Sequence, residues 1–185
     1  MEEFSLYVLD IVMNSVRAGA VNIDIKLVEE GEWLTFSVSD DGCGMTKEQL
    51  EKLENPFFTT RKTRNVGLGI PFLKMLSEQT GGCVKIESVA ESENPDCHGT
   101  KIEAVFGRNH IDFIPLGDMT ETVITLIQGN PEINFSYTHQ TPDGCVHLSC
   151  SEMKKILGDG ISLSDFEVLA WIREYLRESY LAFQK

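Results

Sequence analysis

The sequence predicts an α+β fold built from helices and mainly antiparallel strands. Segments 22–29 and 32–40 alternate apolar and polar residues with period two, which is typical of strands with one buried face. Segments 3–18 and 68–80 instead carry apolar residues at helical spacing. The chain has 185 residues, which is enough for one ordinary domain and a small second module.

The predicted elements of the first part follow in chain order and end near Gly107-Arg108-Asn109. A helix ends at Gly19, a hairpin turns at Glu30-Gly31, and Asn55-Pro56 ends a short helix that Thr46 can cap. The predicted segments are a helix over 3–18, strands over 22–29 and 32–40, a short helix over 47–54, a loop over 55–66, a helix over 68–80 and strands over 83–90 and 100–106.

Residues 108–185 are predicted to form a small α-β-β-α module, separate from a domain over 1–107. Its strands are joined by Thr141-Pro142-Asp143-Gly144, a sequence typical of a turn. The module is marginal as an independent folding unit, so we expect it to pack on the first domain or on another subunit. Its predicted elements are a helix over 117–129, strands over 132–139 and 144–150, and a helix over 164–183.

The charge of the chain excludes several classes of partner. Its net charge is −13, which disfavours binding to nucleic acid or to an anionic membrane.

The sequence also predicts the compartment of the protein. We find no apolar run long enough to span a membrane, and the acidic start is unlike a signal peptide, so we expect a cytoplasmic protein. The five cysteines include no CxxC pair and are expected to be free thiols, with a redox switch at Cys43 as the alternative.

The first helix carries a narrow polar stripe. Asp10, Asn14 and Arg17 fall within an arc of about 60° on an otherwise apolar helix. Such a set can bind one ligand, because an amide oxygen suits Mg²⁺ and an arginine neutralises phosphate charge. The same stripe is also compatible with a solvated helix edge.

Two glycine-containing segments are candidates for backbone contact with a ligand. Asp40 to Gly44 lies at the end of a strand, where the carboxylate of Asp40 can accept a hydrogen bond from an amine such as that of adenine. Gly67-Leu68-Gly69 lies at a helix start, which favours an anion. Each of these two segments is also explained by an ordinary turn. The loop over 61–64 carries three basic residues, which favour an anionic ligand but are also explained by a solvated surface loop.

The order of four segments resembles the GHKL ATPase superfamily of gyrase, heat-shock chaperones, histidine kinases and MutL. DIVMNSVRAGA matches its N box, DDGCGM its G1 box, NPFFTTRKTRNVGLGI its lid and G2 box, and HGTKIEAVF its final Gly-Thr. The resemblance covers about residues 1–107. It implies the Bergerat fold, an α/β sandwich with helices on one face of a mixed sheet, binding ATP with Mg²⁺.

The resemblance also implies roles for individual residues. Asn14 resembles the Mg²⁺ ligand, Asp40 the carboxylate that recognises adenine, and Asp10 the general base. The implied nucleotide-binding residues are Asn14, Arg17, Asp40, Gly42, Gly44, Met45, Thr60, Arg61, Lys62, Gly67, Leu68, Gly69 and Thr100. Asp10 stands where hydrolysing members and anti-sigma serine kinases carry glutamate, one methylene longer, so we expect slow hydrolysis.

The resemblance leaves three functions open. The lid and Arg17 are most like those of the histidine kinases. The helical pair that carries the phospho-acceptor histidine in those kinases does not precede the first helix. We therefore expect a kinase or slow ATPase that acts on a partner protein. The alternative is a nucleotide-gated interaction module that does not hydrolyse ATP. Residues 115–139 resemble a segment of small ATP-binding proteins that are encoded near iron-only hydrogenase subunits. We also keep a homodimer as a possible oligomeric state.

Overall fold

The computed structural model describes residues 3–54, 69–158 and 160–182. Six helices and six strands occur in these residues, close to the predicted segments apart from one additional helix. The helices are α1 Phe4–Arg17, α2 Lys47–Glu54, α3 Gly69–Gln79, α4 Met119–Gly129, α5 Cys150–Leu157 and α6 Phe166–Leu181. The strands are β1 Asn22–Glu30, β2 Trp33–Asp40, β3 Val84–Val89, β4 Gly99–Gly107, β5 Asn134–Thr141 and β6 Gly144–Ser149.

The six strands form one mixed sheet in the order β3-β4-β2-β1-β5-β6. Every neighbouring pair is antiparallel except β1 and β5, which run parallel. Alternate side chains of the strands are buried, or half-buried in β3, and helices α1, α3, α4 and α6 pack over that face. The predicted α+β sandwich, with helices on one face of a mixed and mainly antiparallel sheet, is confirmed.

Helix α1 is the centre of the helical layer. It contacts α3 on one side and α4 on the other, and only Leu6 and Arg17 of the helix are exposed. Phe4 packs edge to face against Phe36 and Phe106 at centroid distances of 5.6 Å and 5.1 Å. The prediction from the narrow stripe, that protein covers most of this helix, is therefore confirmed.

The hydrophobic core continues across the predicted boundary at residue 107. Side chains of α4, β5, β6 and α6 belong to the same cluster of buried residues as those of α1 and β1. The linker also returns to the first helix, because Pro115 and Leu116 accept hydrogen bonds from the N–H groups of Phe4 and Ser5. The division into domains over 1–107 and 108–185 thus stays a prediction. In the structure, strands from both parts belong to one continuous sheet.

The prediction for residues 144–163 was wrong in one respect, because helix α5 follows β6 at once. Ser149 caps this helix by accepting a hydrogen bond from the N–H of Glu152 at 3.4 Å. Cys150, the last residue of the predicted strand, is instead buried at the first position of the helix. The Ser-x-x-Glu spacing is a recognised helix-start signal that the strand assignment overlooked.

A buried polar network joins the two parts of the sheet. His139 Nε2 lies 3.2 Å from Glu29 Oε1, and its Nδ1 lies 2.9 Å from the Tyr180 hydroxyl. Glu29 also pairs with Arg108 at 2.7 Å, and the hydroxyls of Tyr137 and Tyr180 are 2.5 Å apart. Burial lowers the pKa of His139, although the neighbouring carboxylate of Glu29 opposes that shift. Burial therefore disfavours the protonated form of this histidine.

Among the described residues, none of the helices combines the length and the apolar composition that spanning a bilayer requires.

Lowering the pH below about 6.5, the ordinary pKa of histidine, should destabilise the protein through His139. The unfolded chain then takes up a proton that the buried His139 resists, so the free energy of unfolding falls as the pH falls. Urea denaturation at about pH 8 and about pH 5.5 measures this change. His139→Asn should reduce the pH dependence, whereas His110→Asn, at an exposed histidine, should leave it unchanged. Equal pH dependence in wild type and His139→Asn would contradict the assignment.

Candidate functional site

The end of strand β2 brings three polar residues of the site together. Asp40 lies opposite Thr100 in the antiparallel register of β2 and β4. The hydroxyl of Ser15, on helix α1, donates a hydrogen bond to Asp40 Oδ2 at 2.5 Å. The backbone N–H of Gly42 donates to the other carboxylate oxygen, Oδ1, at 3.0 Å. Each oxygen keeps a further lone pair, so the carboxylate can still accept a hydrogen bond from a ligand.

Ser15 is a site residue that sequence reasoning missed. It lies next to Asn14 and is buried in the structure. It lies outside the arc of the polar stripe formed by Asp10, Asn14 and Arg17, so the stripe does not indicate it. A buried hydroxyl requires a hydrogen-bond partner, and here that partner is the acidic residue 25 positions later. The helix and the strand end are thereby tied to each other.

The glycine-containing turn after β2 is held by contacts of its backbone groups on both sides. The N–H of Cys43 donates to the carbonyl of Ala18 at 2.9 Å. The carbonyl of Gly42 lies 2.6 Å from Nδ1 of His98. The Cys43 thiol is exposed at this turn, and its suggested redox role stays a prediction.

Two glycines in this region have conformations and contacts that exclude a side chain. Gly44 has a φ of +63°, and a Cβ at this position would overlap the carbonyl of Val89. Gly99 has a φ of +135°, and a Cβ there would overlap the carbonyl of Asp40. Backbone segments therefore approach one another closely around the strand ends, which is the reason glycine is needed here.

Ser88 is a second residue that the sequence did not indicate. Its hydroxyl accepts a hydrogen bond from the N–H of Met45 at 2.8 Å and donates to the carbonyl of Gly99 at 2.9 Å. It also lies 2.8 Å from the hydroxyl of Thr100. One side chain of β3 thus connects the turn after β2 with the start of β4.

Asp41 is occupied within the protein, unlike its neighbour Asp40. Its Oδ1 accepts hydrogen bonds from the N–H groups of Val21 and Asn22 at 2.8 Å and 2.9 Å, and its Oδ2 from Asn22 Nδ2 at 2.6 Å. Although partial burial acts in the opposite direction, these hydrogen bonds hold the pKa of Asp41 below its ordinary value. Asp41 therefore anchors the loop between α1 and β1 and is not placed to read a ligand.

The polar stripe of α1 meets the start of helix α3. A Cβ at Gly69 would overlap Oδ2 of Asp10, so the carboxylate lies directly against the first residue of α3. One turn further on, Asn14 Oδ1 accepts a hydrogen bond from Arg17 Nη1 at 3.1 Å. An acid, an amide oxygen and a cation thus follow one line toward the N-terminus of α3, where the helix dipole favours anions.

Five of the proposed binding residues lie outside the described part of the chain: Thr60, Arg61, Lys62, Gly67 and Leu68. Their roles stay predictions.

The donor set fits a nucleotide with a magnesium ion. No group of three histidine, cysteine or acidic residues suited to a metal occurs in the described residues. Mg²⁺ commonly takes only one or two protein ligands and completes its shell with water and phosphate oxygens, which the single amide oxygen of Asn14 can support. The carboxylate of Asp40, bonded to Ser15 in the last turn of α1, provides a separate acceptor at the end of β2.

A comparison with protein-family models identifies this arrangement. Residues 2–109, more than half of the chain, match the family described as histidine kinase-, DNA gyrase B-, and HSP90-like ATPase. The chain belongs to this family. Residues 2–109 thus form a GHKL ATP-binding domain, as the order of the four motifs predicted.

The GHKL domain is also similar to several kinases. It is 33% identical over 86 residues to the sensor histidine kinase ZraS of Salmonella typhimurium, covering 44% of this chain and 18% of the relative. It is 35% identical over 99 residues to an uncharacterized sensor-like histidine kinase of Rhizobium meliloti, covering 49% and 18%. For sporulation kinase C of Bacillus subtilis the identity is 33% over 85 residues, covering 44% and 19%. The chain thus spans less than a fifth of each of these relatives.

A solved structure supports the GHKL fold. The MutL ATPase domain of Aquifex aeolicus, complexed with ADP, superimposes with a TM-score of 0.53 at 18% sequence identity. The match covers 85% of this chain and 68% of that chain, so it extends beyond the residues matched by the family model.

Asp41→Ala should destabilise the GHKL domain by about 1–2 kcal/mol, because it removes hydrogen bonds to a charged acceptor at a partly exposed site. Chemical denaturation measures the loss. Asp143→Ala is a matched control, since the structure shows no hydrogen bond from a described residue to the Asp143 carboxylate, and we expect a change of less than about 0.5 kcal/mol there. Equal losses in the two variants would show that the Asp41 contacts contribute no stability.

Proposed function

We propose that the protein binds Mg·ATP and acts as a regulatory kinase or slow ATPase on a partner protein. The observation that carries this proposal is the position of helix α1. Ser15 holds the carboxylate of Asp40 at one end of the site, while Asp10 lies against Gly69 at the other. A single rigid helix therefore spaces a base-reading group from a phosphate-facing group.

Adenine recognition is assigned to Asp40, with Thr100 beside it on the neighbouring strand. The hydrogen bonds from Ser15 and Gly42 fix the carboxylate and leave acceptor capacity toward the ligand. An adenine amine can donate to such a group, whereas guanine presents a carbonyl oxygen at the equivalent position. The close turn at Gly42 and Gly44, with the N–H of Met45 tied to Ser88, forms the adjoining backbone wall.

The phosphate end is assigned to Asn14, Arg17 and the start of α3. Asn14 would hold Mg²⁺, which supplies charge neutralisation at the phosphates when it is bound. Arg17 is exposed and can turn from Asn14 toward a phosphate oxygen. The helix N-terminus at Gly69 and the basic residues Arg61 and Lys62 supply further attraction for anions.

Asp10 is assigned the role of general base. Its carboxylate lies against the first residue of α3, where the phosphates are expected. A base acts only within hydrogen-bond reach of the proton that it accepts, about 2.6–3.2 Å or through one water. Aspartate is one methylene shorter than glutamate, which supports slow turnover.

The partner is proposed to be a protein in the cytoplasm. The histidine kinases similar to this domain are several times longer than the segment that matches, so their activity is transferred here only as a proposal. Phosphate would be transferred to an acceptor side chain of the partner, or to water in the ATPase version. A homodimer is retained as an additional option within this proposal.

A specific observation favours the alternative, a nucleotide-gated interaction module that does not hydrolyse ATP. A chain of hydrogen bonds runs from the turn after β2 into the C-terminal module. Asp41 accepts from Asn22, Asn22 Oδ1 accepts from Asn134 at 3.0 Å, and Asn134 Oδ1 accepts from Lys154 of α5 at 2.9 Å. A shift of the turn on nucleotide binding could pass along this chain to the surface of the module.

Adenine selectivity should depend on Asp40. We expect calorimetry to give weaker binding of GTP than of ATP, by about 5- to 150-fold, since two facing acceptors lose a hydrogen bond. Asp40→Asn should remove most of this preference. Asp24→Asn is the matched control, because Asp24 lies on the opposite face of the sheet and pairs with Lys26. Equal wild-type affinities for ATP and GTP would exclude Asp40 from base recognition.

Turnover should depend on the length and position of residue 10. We expect slow phosphate release from wild type, faster release from Asp10→Glu and at least about 100-fold slower release from Asp10→Asn, with little change in ATP affinity. Gly69→Ala should also slow release, because its methyl group would displace the Asp10 carboxylate.

Two results would contradict this assignment. One is unchanged turnover in Asp10→Asn, and the other is a parallel loss of ATP affinity and activity in all variants. ATP binding without turnover in both wild type and Asp10→Glu, with no transfer to a partner, would favour the interaction module.

A further inference from the structure

The two edges of the sheet differ in their protection against pairing with another chain. Edge strand β3 carries the exposed ion pair of Lys85 and Glu87, and charged residues of this kind discourage edge-to-edge pairing. Strand β6, Gly144–Ser149, is the other end of the sheet and contains no lysine, arginine, aspartate or glutamate. Within residues 3–54, 69–158 and 160–182, no strand pairs with the outer edge of β6.

The backbone of β6 presents hydrogen-bonding groups outward at alternate residues. The Tyr175 hydroxyl donates to the carbonyl of His147 at 2.9 Å, so this carbonyl points away from β5. Because hydrogen-bonded and non-hydrogen-bonded pairs alternate in an antiparallel ladder, Cys145 shares this orientation, while Val146 and Leu148 bond to β5. A carbonyl oxygen has a second lone pair, so His147 keeps acceptor capacity beside the tyrosine, and the carbonyl of Cys145 has no hydrogen bond from a side chain of the described residues.

An exposed aromatic pair lies beside this edge. Trp171 and Tyr175 of helix α6 stack at a centroid distance of 5.5 Å and an interplanar angle of 9°. Trp171 is 56% exposed although it is the largest side-chain type in proteins. Exposed tryptophan and tyrosine of this kind are typical anchors of protein interfaces.

The charge around the aromatic pair indicates the chemistry of its partner. Glu167, Glu174 and Glu178 lie with Trp171 and Tyr175 within an arc of about 100° on α6. The three glutamates are exposed, and the structure shows no ion pair between them and a described residue. The nearby arginines of α6 are committed elsewhere, because both bind Glu121 of α4. This side of the helix is therefore negative.

We propose that the β6 edge and the Trp171–Tyr175 pair form a docking site for an extended, lysine- or arginine-rich segment of a partner protein, which adds to the sheet as a further strand. The six residues of β6 span about 20 Å, a usual length for such an added strand. A second copy of the chain would bring two sets of glutamates together. This inference rests on the proposed function in one respect, the existence of a protein partner. Docking itself requires neither ATP nor phosphate transfer.

A synthetic peptide of alternating lysine and valine, KVKVKVK, tests the site on the full chain. The protein has two tryptophans, so Trp33→Phe leaves Trp171 as the only tryptophan reporter. We expect the peptide to shift Trp171 fluorescence, and the glutamate version EVEVEVE to cause no shift. No response to KVKVKVK, or an equal response to EVEVEVE, would overturn the proposal.

Amide hydrogen exchange distinguishes strand addition from loose electrostatic attachment. Binding should slow exchange selectively at Cys145 and His147, whose N–H groups face outward, and leave Val146 and Leu148, already bonded to β5, nearly unchanged. A fluorescence response without this alternating protection would overturn strand addition. A protein that sediments as a dimer, with Cys145 and His147 already protected without peptide, would assign the edge to a second copy instead.

Charge reversal provides the matched variants. Glu174→Lys should weaken the peptide by about fivefold or more, whereas Glu93→Lys, the same change at an exposed turn between β3 and β4, should weaken it by less than about twofold. Equal effects would reduce the attraction to net charge and overturn the site. Mg·ATP affinity should be unchanged in Glu174→Lys, so a failure of peptide docking is separable from a failure of nucleotide binding.

Discussion

The hydrogen bond between Ser15 and Asp40 is the contact on which the geometry of the site depends. It joins the buried side of α1 to the end of β2, at 2.5 Å and mostly out of water. Since α1 is packed on nearly all sides, the helix cannot slide relative to the sheet without losing core contacts. The spacing between Asp40 and Asp10 is therefore a property of the core rather than of a loop.

Two adjacent carboxylates illustrate how the surroundings separate function from structure. Asp41 accepts three hydrogen bonds from the protein and serves the fold, while Asp40 accepts two and keeps capacity for a ligand. The distinction follows from which backbone and side-chain donors the neighbouring loop supplies. Asp41 also connects the site with the C-terminal module. Its donor Asn22 accepts a hydrogen bond from Asn134 of β5, so a single side chain lies between the two.

Local patterns predicted most of the fold but not the contacts that position the site. Period-two alternation predicted all six strands to within a few residues, and the narrow polar stripe predicted a covered helix. Ser15 and Ser88 were missed because their roles depend on partners 25 and 12 residues away in sequence, such as Asp40 and Thr100. Helix α5 was missed although its capping signal was present, because the apolar run of β6 was extended through Cys150. The network around His139 joins β1, β5 and α6, and no local pattern contains it.

The parallel pairing of β1 with β5 has a consequence for synthesis of the chain on the ribosome. β1 lies inside the sheet, yet one of its neighbours, Asn134–Thr141, is translated more than a hundred residues after Asn22. Until that segment emerges, the nascent first domain has an open strand edge and an incomplete core. Expression of residues 1–107 alone would make this transient state permanent, so the apparent domain boundary is a poor place to truncate the protein.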